Sequence, residues 1–80
     1  MRQEEQAFFE QLYLQLYDGL YRFVARIAKD DGAAEDLVQE TFTEAFSRID
    51  TLMAHPNVTG WFYLTARNKT LNYLRRKYHQ

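Results

Sequence analysis

The sequence predicts an all-α fold, a compact bundle of three to four helices. Apolar residues recur at steps of three and four over most of the 80 residues, which is the spacing of amphipathic helices. No stretch alternates apolar and polar residues as a half-buried strand does. Two short interruptions containing Asp, Gly, Pro and Asn divide the pattern into three segments. A chain of this length forms one domain with a single core.

The first helix is predicted from about Glu4 to Lys29. Its apolar stripe consists of Phe9, Leu12, Leu16, Leu20, Phe23, Val24 and Ile27. Gly19, inside this helix, indicates a bend or a close contact with another helix. The pattern ends at residues 30–32, and Asp31 is expected to cap the next helix.

The second helix is predicted from about Gly32 to Ile49. Its inner stripe consists of Ala34, Leu37, Val38, Thr41, Phe42, Ala45, Phe46 and Ile49. Pro56 disfavours helix at His55, so residues 50–59 are expected to form a loop. Asn57 or Thr59 is expected to cap the third helix, which then runs to the end of the chain. The side chains expected to be buried include Leu12, Leu16, Phe23, Leu37, Phe42, Phe46 and Phe62.

Composition excludes several classes of protein. The chain has no cysteine, so disulfides and thiolate metal sites are excluded. It has neither the apolar run of a signal peptide nor one of membrane-spanning length, which predicts a cytoplasmic protein. The histidines, His55 and His79, are isolated and lack metal-ligand spacing, so no metal or cofactor is expected. No catalytic constellation is evident, and the chain is not expected to be an enzyme.

Charge is divided unevenly along the chain. Residues 1–50 carry all eleven acidic residues and five basic ones, whereas residues 51–80 carry five basic residues and no acidic one. Such asymmetry points to a polyanionic partner for the basic part. The alternative is a basic last turn that complements the helix dipole. That alternative accounts for Arg75, Arg76 and Lys77 but less well for Arg67 and Lys69, which lie further from the end.

One face of the third helix combines an aromatic ring, amides and cations. At about 100° per residue, Trp61, Asn68, Asn72, Arg75 and His79 share a narrow arc, bordered by Thr65 and Arg76. An amide can read a base edge, a ring can stack on a base, and a guanidinium can bind phosphate. This face therefore indicates a site for nucleic acid with exposed bases. The alternative is a solvated polar face with a half-buried Trp.

The second helix has an outer stripe of Asp36, Gln39, Glu40 and Thr43, at steps of three and four. It is acidic and contains no cation. It is either a solvated face or a docking strip for a basic or amide-rich partner helix.

Two blocks of sequence resemble a known family. AEDLVQETFTEAF, followed after a short loop by GWFYLTARNKTLNYLRRK, resembles region 2 of bacterial RNA polymerase sigma factors. The resemblance is to the extracytoplasmic-function (ECF) group of the sigma-70 family. It extends from about Phe8 to Lys77, and the order and spacing of both blocks agree with the family pattern.

The resemblance implies roles for both stripes. The polymerase-binding residues would be Asp36, Leu37, Gln39, Glu40 and Thr43, in contact with the clamp helices of the largest subunit of core RNA polymerase. The DNA-binding residues would be Trp61, Thr65, Arg67, Asn68, Lys69, Asn72, Arg75 and Arg76. These would melt the −10 promoter element and hold its non-template strand. Residues 50–59 would form, with Asn68, a pocket for a flipped base.

The family normally carries a second helical domain that reads the −35 element. The resemblance implies a single region 2 domain over residues 1–80, without that second domain. An anti-sigma factor is a further partner typical of the ECF group. Two other functions compete with a transcription initiation factor. One is a helical protein-interaction module with no nucleic-acid role, which burial of Trp61 and Asn68 against the first helix would favour. The other is a general single-strand RNA or DNA binder, which predicts affinity without polymerase.

Overall fold

The computed structural model describes residues 2–79 and contains four α-helices and no strand within that range. The helices are α1 (Gln3–Ala28), α2 (Asp31–Ser47), α3 (Ile49–Met53) and α4 (Val58–Tyr78). The predicted all-α class is therefore confirmed. The last helix, expected to reach the end of the chain, ends at Tyr78, and Gln80 lies outside the described residues.

Local hydrogen bonds define the two ends of α1. At its start, a Glu5 carboxylate oxygen accepts a hydrogen bond from the backbone nitrogen of Arg2 at 3.2 Å. At its end, Lys29 adopts a left-handed conformation with φ of 57°, and its N–H donates to the carbonyl of Ala25 at 2.8 Å. This cap turns the chain sharply, so that α2 begins only two residues later.

The caps of the later helices differ in part from the prediction. Asp30, rather than Asp31, caps α2, because its Oδ1 accepts from the N–H of Ala33 at 3.0 Å. The prediction of Asn57 as a cap of α4 is confirmed by its side-chain oxygen, which accepts from the N–H of Gly60 at 3.0 Å. The segment predicted as a loop is in part helical, because α3 occupies Ile49–Met53.

The core lies between α1, α2 and α4. Phe42 and Phe62 meet at its centre, with ring centroids 4.9 Å apart. Of the seven side chains expected to be buried, Leu12, Leu37, Phe42 and Phe62 are confirmed, and Leu16 and Phe23 are half-buried. The prediction for Phe46 is wrong, since this side chain is 49% exposed. Phe46 lies at the edge of the α2 stripe, where it packs edge-on against Phe9 at 5.4 Å.

Small side chains let the helices approach one another closely. Thr41 and Thr70 are fully buried, and each hydroxyl donates to a carbonyl one turn back in its own helix. The close contact expected at Gly19 is confirmed, because a Cβ there would lie 2.6 Å from the Tyr63 hydroxyl of α4. The contact at Gly19 therefore joins α1 to α4.

Within residues 2–79, no helix is long and apolar enough to cross a membrane.

Candidate polymerase- and nucleic-acid-binding surfaces

The outer face of α2 presents an acidic strip, defined as Asp36, Gln39, Glu40 and Thr43. All four residues are exposed. The Thr43 hydroxyl donates to the carbonyl of Gln39 at 2.9 Å, and the Gln39 amide donates to the Tyr13 hydroxyl of α1 at 3.3 Å. The carboxylates of Asp36 and Glu40 are exposed to a cationic partner, while the Gln39 amide is oriented by α1.

Leu37 lies beneath the acidic strip and not on it. Its side chain is only 4% exposed and belongs to the core. Leu37 therefore supports the strip from below, and a partner on the α2 surface would reach little of it.

Phe46 extends the acidic strip by one further helical step of three beyond Thr43. Sequence reasoning missed it as a surface residue because it follows the buried Phe42 at a step of four. The available signal was its place at the edge of a broad apolar stripe, about 40° from Phe42. An exposed aromatic side chain beside polar residues is a common centre of protein interfaces.

The outer face of α4 presents a polar strip, defined as Trp61, Thr65, Asn68, Asn72 and Arg75. At about 100° per residue these five residues lie within an arc of about 80°. Asn68, Asn72 and Arg75 are exposed, whereas Trp61 and Thr65 are half-buried. The Trp61 ring packs edge-on against Phe62 at 5.2 Å. The amides and the guanidinium therefore face solvent, and the burial of Asn68 that would have favoured a pure protein-interaction module does not occur.

Three other basic residues assigned to DNA binding are not part of the polar strip, although Lys69 and Arg76 lie at its edge. Arg67 is exposed, but helical rotation places it about 120° from Trp61. Lys69 forms an ion pair with Glu44 of α2, with Nζ 3.0 Å from the carboxylate. Arg76 lines a cleft that it shares with Asp36 and Glu40. The structure thus groups Lys69 and Arg76 with the acids of α2.

A groove between α2 and α4 runs along the acidic strip. It is lined by Asp36, Gln39, Glu40, Thr43, Glu44 and Ser47 of α2 and by Lys69 of α4. Lys69 is flanked on the α4 surface by Thr65 and Asn72, which lie four residues before it and three residues after it. Lys69 therefore connects the groove along the acidic strip to the edge of the polar strip.

The loop before α4 is held by its own hydrogen bonds. The His55 Nδ1 accepts from the backbone nitrogen of Asn57 at 2.9 Å, and Asn57 in turn caps α4. α4 begins directly after this loop, and Trp61 in its first turn is the first residue of the polar strip.

Comparison with known proteins agrees with this architecture. The family described as Sigma-70 region 2 matches residues 12–80. The ECF RNA polymerase sigma factor SigM of Bacillus subtilis is 36% identical over 67 residues, which are 84% of this chain and 40% of SigM. RNA polymerase sigma factor YlaC of the same organism is 30% identical over 84% of this chain and 39% of its own length. ECF RNA polymerase sigma factor SigW is 32% identical over 75% of this chain and 32% of its own length.

The chain spans about two-fifths of the length of SigM and YlaC and about one-third of SigW. No solved structure matched the chain. The four-helix architecture, the match to residues 12–80 and the similarity to three sigma factors lead to one conclusion. The chain belongs to the sigma-70 family, as a region 2 domain of the ECF group.

Proposed function

We propose that this domain binds core RNA polymerase through the acidic strip and holds the melted −10 non-template strand on the polar strip. The observation that carries the proposal is the arrangement of the two strips. They differ in chemistry, and each presents exposed polar side chains. The acidic strip lines a groove that reaches Lys69 of α4, and Lys69 lies beside Thr65 and Asn72 of the polar strip. Polymerase and DNA can therefore bind side by side, as a factor that links the two requires.

The acidic strip suits a basic helical partner. The chain from Asp30 to Ser47 contains no Lys or Arg, so cations are absent from the sequence of α2. Asp36 and Glu40 project from one side of α2, one turn apart, and both are exposed. Complementary charge of this kind sets the rate of encounter and the register of a docked helix. The names of SigM and SigW, as RNA polymerase sigma factors, support core RNA polymerase as the partner. The clamp helices of its largest subunit are the basic segment that we propose for the acidic strip.

The polar strip suits a single strand with unpaired bases. Arg75 offers a cation for phosphate, and Asn68 offers an amide for a base edge. Trp61 exposes part of its ring at the start of α4, where it can replace the stacking that a base loses on melting. The strip therefore combines backbone binding with base recognition.

Polymerase docking is tested by charge reversal. Glu40→Arg, alone and with Asp36→Arg, should strongly reduce the amount of core polymerase that the tagged chain retains. Glu4→Arg is the matched control, because Glu4 is also an exposed glutamate but lies on α1. Thermal unfolding should show that all these variants keep the fold, since surface substitutions usually change stability by about 0.5 kcal/mol or less. Unchanged retention by the double variant would rule out the acidic strip as the docking site.

DNA recognition is tested with the chain bound to core polymerase. Trp61→Ala should impair binding to a duplex −10 template more than to the same template melted in advance. Asn68→Ala should change the preference among single-stranded oligonucleotides, with a cost of about 1–3 kcal/mol for the preferred base. If the Trp61 variant affects both templates equally, its role in melting is wrong. If the Asn68 variant lowers every affinity by the same factor, its role in base reading is wrong.

A further inference from the structure

A small pocket opens on the surface of α1, next to the acidic strip. This α1 pocket is lined by Phe9, Glu10, Tyr13 and Leu14. Leu14 is 80% exposed, the highest exposure among the large apolar side chains that face solvent in residues 2–79. The side chain contributes little to the core of the isolated domain, so its apolar surface is available to a partner.

The α1 pocket is continuous with the acidic strip. Tyr13, in its wall, accepts the hydrogen bond from the Gln39 amide at 3.3 Å. Phe9, in its opposite wall, packs perpendicular to the exposed Phe46 of α2 at 5.4 Å. A segment that lies along the acidic strip would therefore meet Phe46 and the α1 pocket without crossing a gap.

The charged residues of the helical segments that form and adjoin the α1 pocket are of one sign. The chain from Gln3 to Tyr21 contains no Lys or Arg, and the same is true from Asp30 to Ser47. Glu10 lines the pocket itself, and Asp18 follows Leu14 by one turn. A second copy of this chain docked here by the same face would bring acids against acids, which disfavours a symmetric dimer.

We infer that the basic polymerase segment docked on the acidic strip also covers α1 and inserts an apolar side chain into the pocket between Phe9, Tyr13 and Leu14. This inference rests on the proposed function and extends its docking site from one helix to two. The pocket supplies an apolar anchor, and the surrounding carboxylates hold the flanking Lys or Arg side chains. Interfaces often take most of their affinity from such a central apolar contact, while the charged rim sets orientation.

The test compares two exposed leucines. Leu14→Gln removes the apolar wall of the pocket without changing charge, and Leu64→Gln is the matched control on α4, where Leu64 is 57% exposed. We expect Leu14→Gln to weaken the affinity for purified bacterial core RNA polymerase about tenfold, because one leucine side chain is no longer buried on binding. Leu64→Gln should change it less than about twofold. Phe46→Ala combined with Leu14→Gln should cost less than the two single changes together, because both line one contact.

The outcomes separate the inference from the proposed function. If Glu40→Arg abolishes polymerase binding and Leu14→Gln behaves as Leu64→Gln does, the docking site stands and the inference is overturned. If neither Glu40→Arg nor Leu14→Gln affects binding, the proposed function itself is wrong. If Leu14→Gln alters only self-association in sedimentation, the pocket is an interface between copies of the chain, and the inference is overturned.

Discussion

At the scale of single residues, the ion pair between Glu44 and Lys69 distinguishes Lys69 from Arg75 in its availability to DNA. Glu44 accepts from Lys69 at 3.0 Å and lies 3.4 Å from Arg48. The Lys69 side chain is only 26% exposed, so it is largely engaged with α2. Arg75, by contrast, lies exposed on the polar strip. Basic residues that are close in sequence therefore differ in their freedom to bind phosphate.

This difference predicts unequal effects on DNA binding. Arg75→Ala should lower the affinity for single-stranded DNA and flatten its dependence on salt by about 0.7 in the log–log slope, because the variant neutralises one phosphate fewer. Lys69→Ala should change the slope much less, and lower stability by about 0.2–1 kcal/mol by removing a partly exposed ion pair. Fluorescence anisotropy over several salt concentrations measures both slopes. Equal slopes for the two variants would contradict the assignment of Lys69 to α2.

At the scale of helices, the two phenylalanines of α2 take opposite positions although they are only four residues apart. Phe42 is 2% exposed and lies among the rings of Phe9, Tyr13, Tyr17 and Phe62. Phe46 contacts one of these rings, that of Phe9, and is otherwise turned toward solvent. The end of α2 therefore presents a ring to the surface while its middle is part of the core.

The two positions predict different costs of truncation. Phe42→Ala should destabilise the domain by about 3–5 kcal/mol, because it leaves a cavity in the core. Phe46→Ala should cost about 1 kcal/mol, since half of the side chain is already exposed. Chemical denaturation measures both free energies of unfolding. A cost below about 1 kcal/mol for Phe42→Ala would mean that the core of α2 is misassigned.

The contact between α1 and α4 at Gly19 limits substitution there through one atom. A Cβ at Gly19 would lie 2.6 Å from the Tyr63 hydroxyl but 3.9 Å from the ring carbon that bears it. The hydroxyl alone therefore produces the overlap.

Removing the Tyr63 hydroxyl should allow alanine at position 19 to stabilise α1 through its higher helix propensity. In a Tyr63→Phe background, Gly19→Ala should stabilise the domain by about 1 kcal/mol, the usual advantage of Ala over Gly in a helix. In the native background the increase should be smaller, because the Tyr63 side chain must move aside. Thermal unfolding of the four proteins of this cycle gives the coupling. An identical effect of Gly19→Ala in both backgrounds would contradict the contact.

At the scale of the whole molecule, a pair of carboxyl groups joins the start of α1 to α3. Hydrogen bonding to Glu5 raises the pKa of Asp50 above its ordinary 3.8. The same hydrogen bond, helped by the backbone of Arg2, lowers the pKa of Glu5 below its ordinary 4.5. The opposite directions of these two pKa shifts couple the first turn of α1 to α3.

This pair predicts a pH dependence with a defined sign. Stability from Asp50, whose pKa is raised in the folded state, is complete below the ordinary value and is lost as pH rises through the raised pKa. Stability from Glu5, whose pKa is lowered, is lost only as pH falls through that lower value. Asp50→Asn keeps a permanent donor to Glu5. Relative to the native chain, this variant should therefore gain stability as pH rises from about 4 to neutrality.

Thermal unfolding midpoints across this range measure the difference between the variant and the native chain. Asp18→Asn, which alters an exposed carboxylate elsewhere on α1, is the control. A difference between Asp50→Asn and the native chain that stays constant with pH would show that the carboxyl pair does not form.

Folding places the acidic first part of the chain next to its basic last part. All acidic residues lie in the first 50 residues, and the remainder has none. A chain with a basic tail that extends away from its acidic part would have the same distribution. The groove between α2 and α4 instead sets the two parts alongside one another. As a result, Lys69 pairs with Glu44, and Arg76 shares a cleft with Asp36 and Glu40. Asn68, Asn72 and Arg75 are exposed.

The sequence by itself determined the three long helices, most of the core and both outer strips, whereas the short helix α3 lies in a segment predicted as a loop. Periodicity is local, so steps of three and four place Leu12, Phe42 and Phe62 inside and Asp36, Glu40 and Asn68 outside, whatever the helices pack against. Only the tertiary structure decided whether the residues at the edges of those stripes are buried, paired or exposed. Whether Phe46 is covered depends on which side chain of α1 lies opposite, and whether Lys69 is free depends on Glu44 across the groove. Such contacts join residues far apart in the chain, and helical spacing carries no information about them.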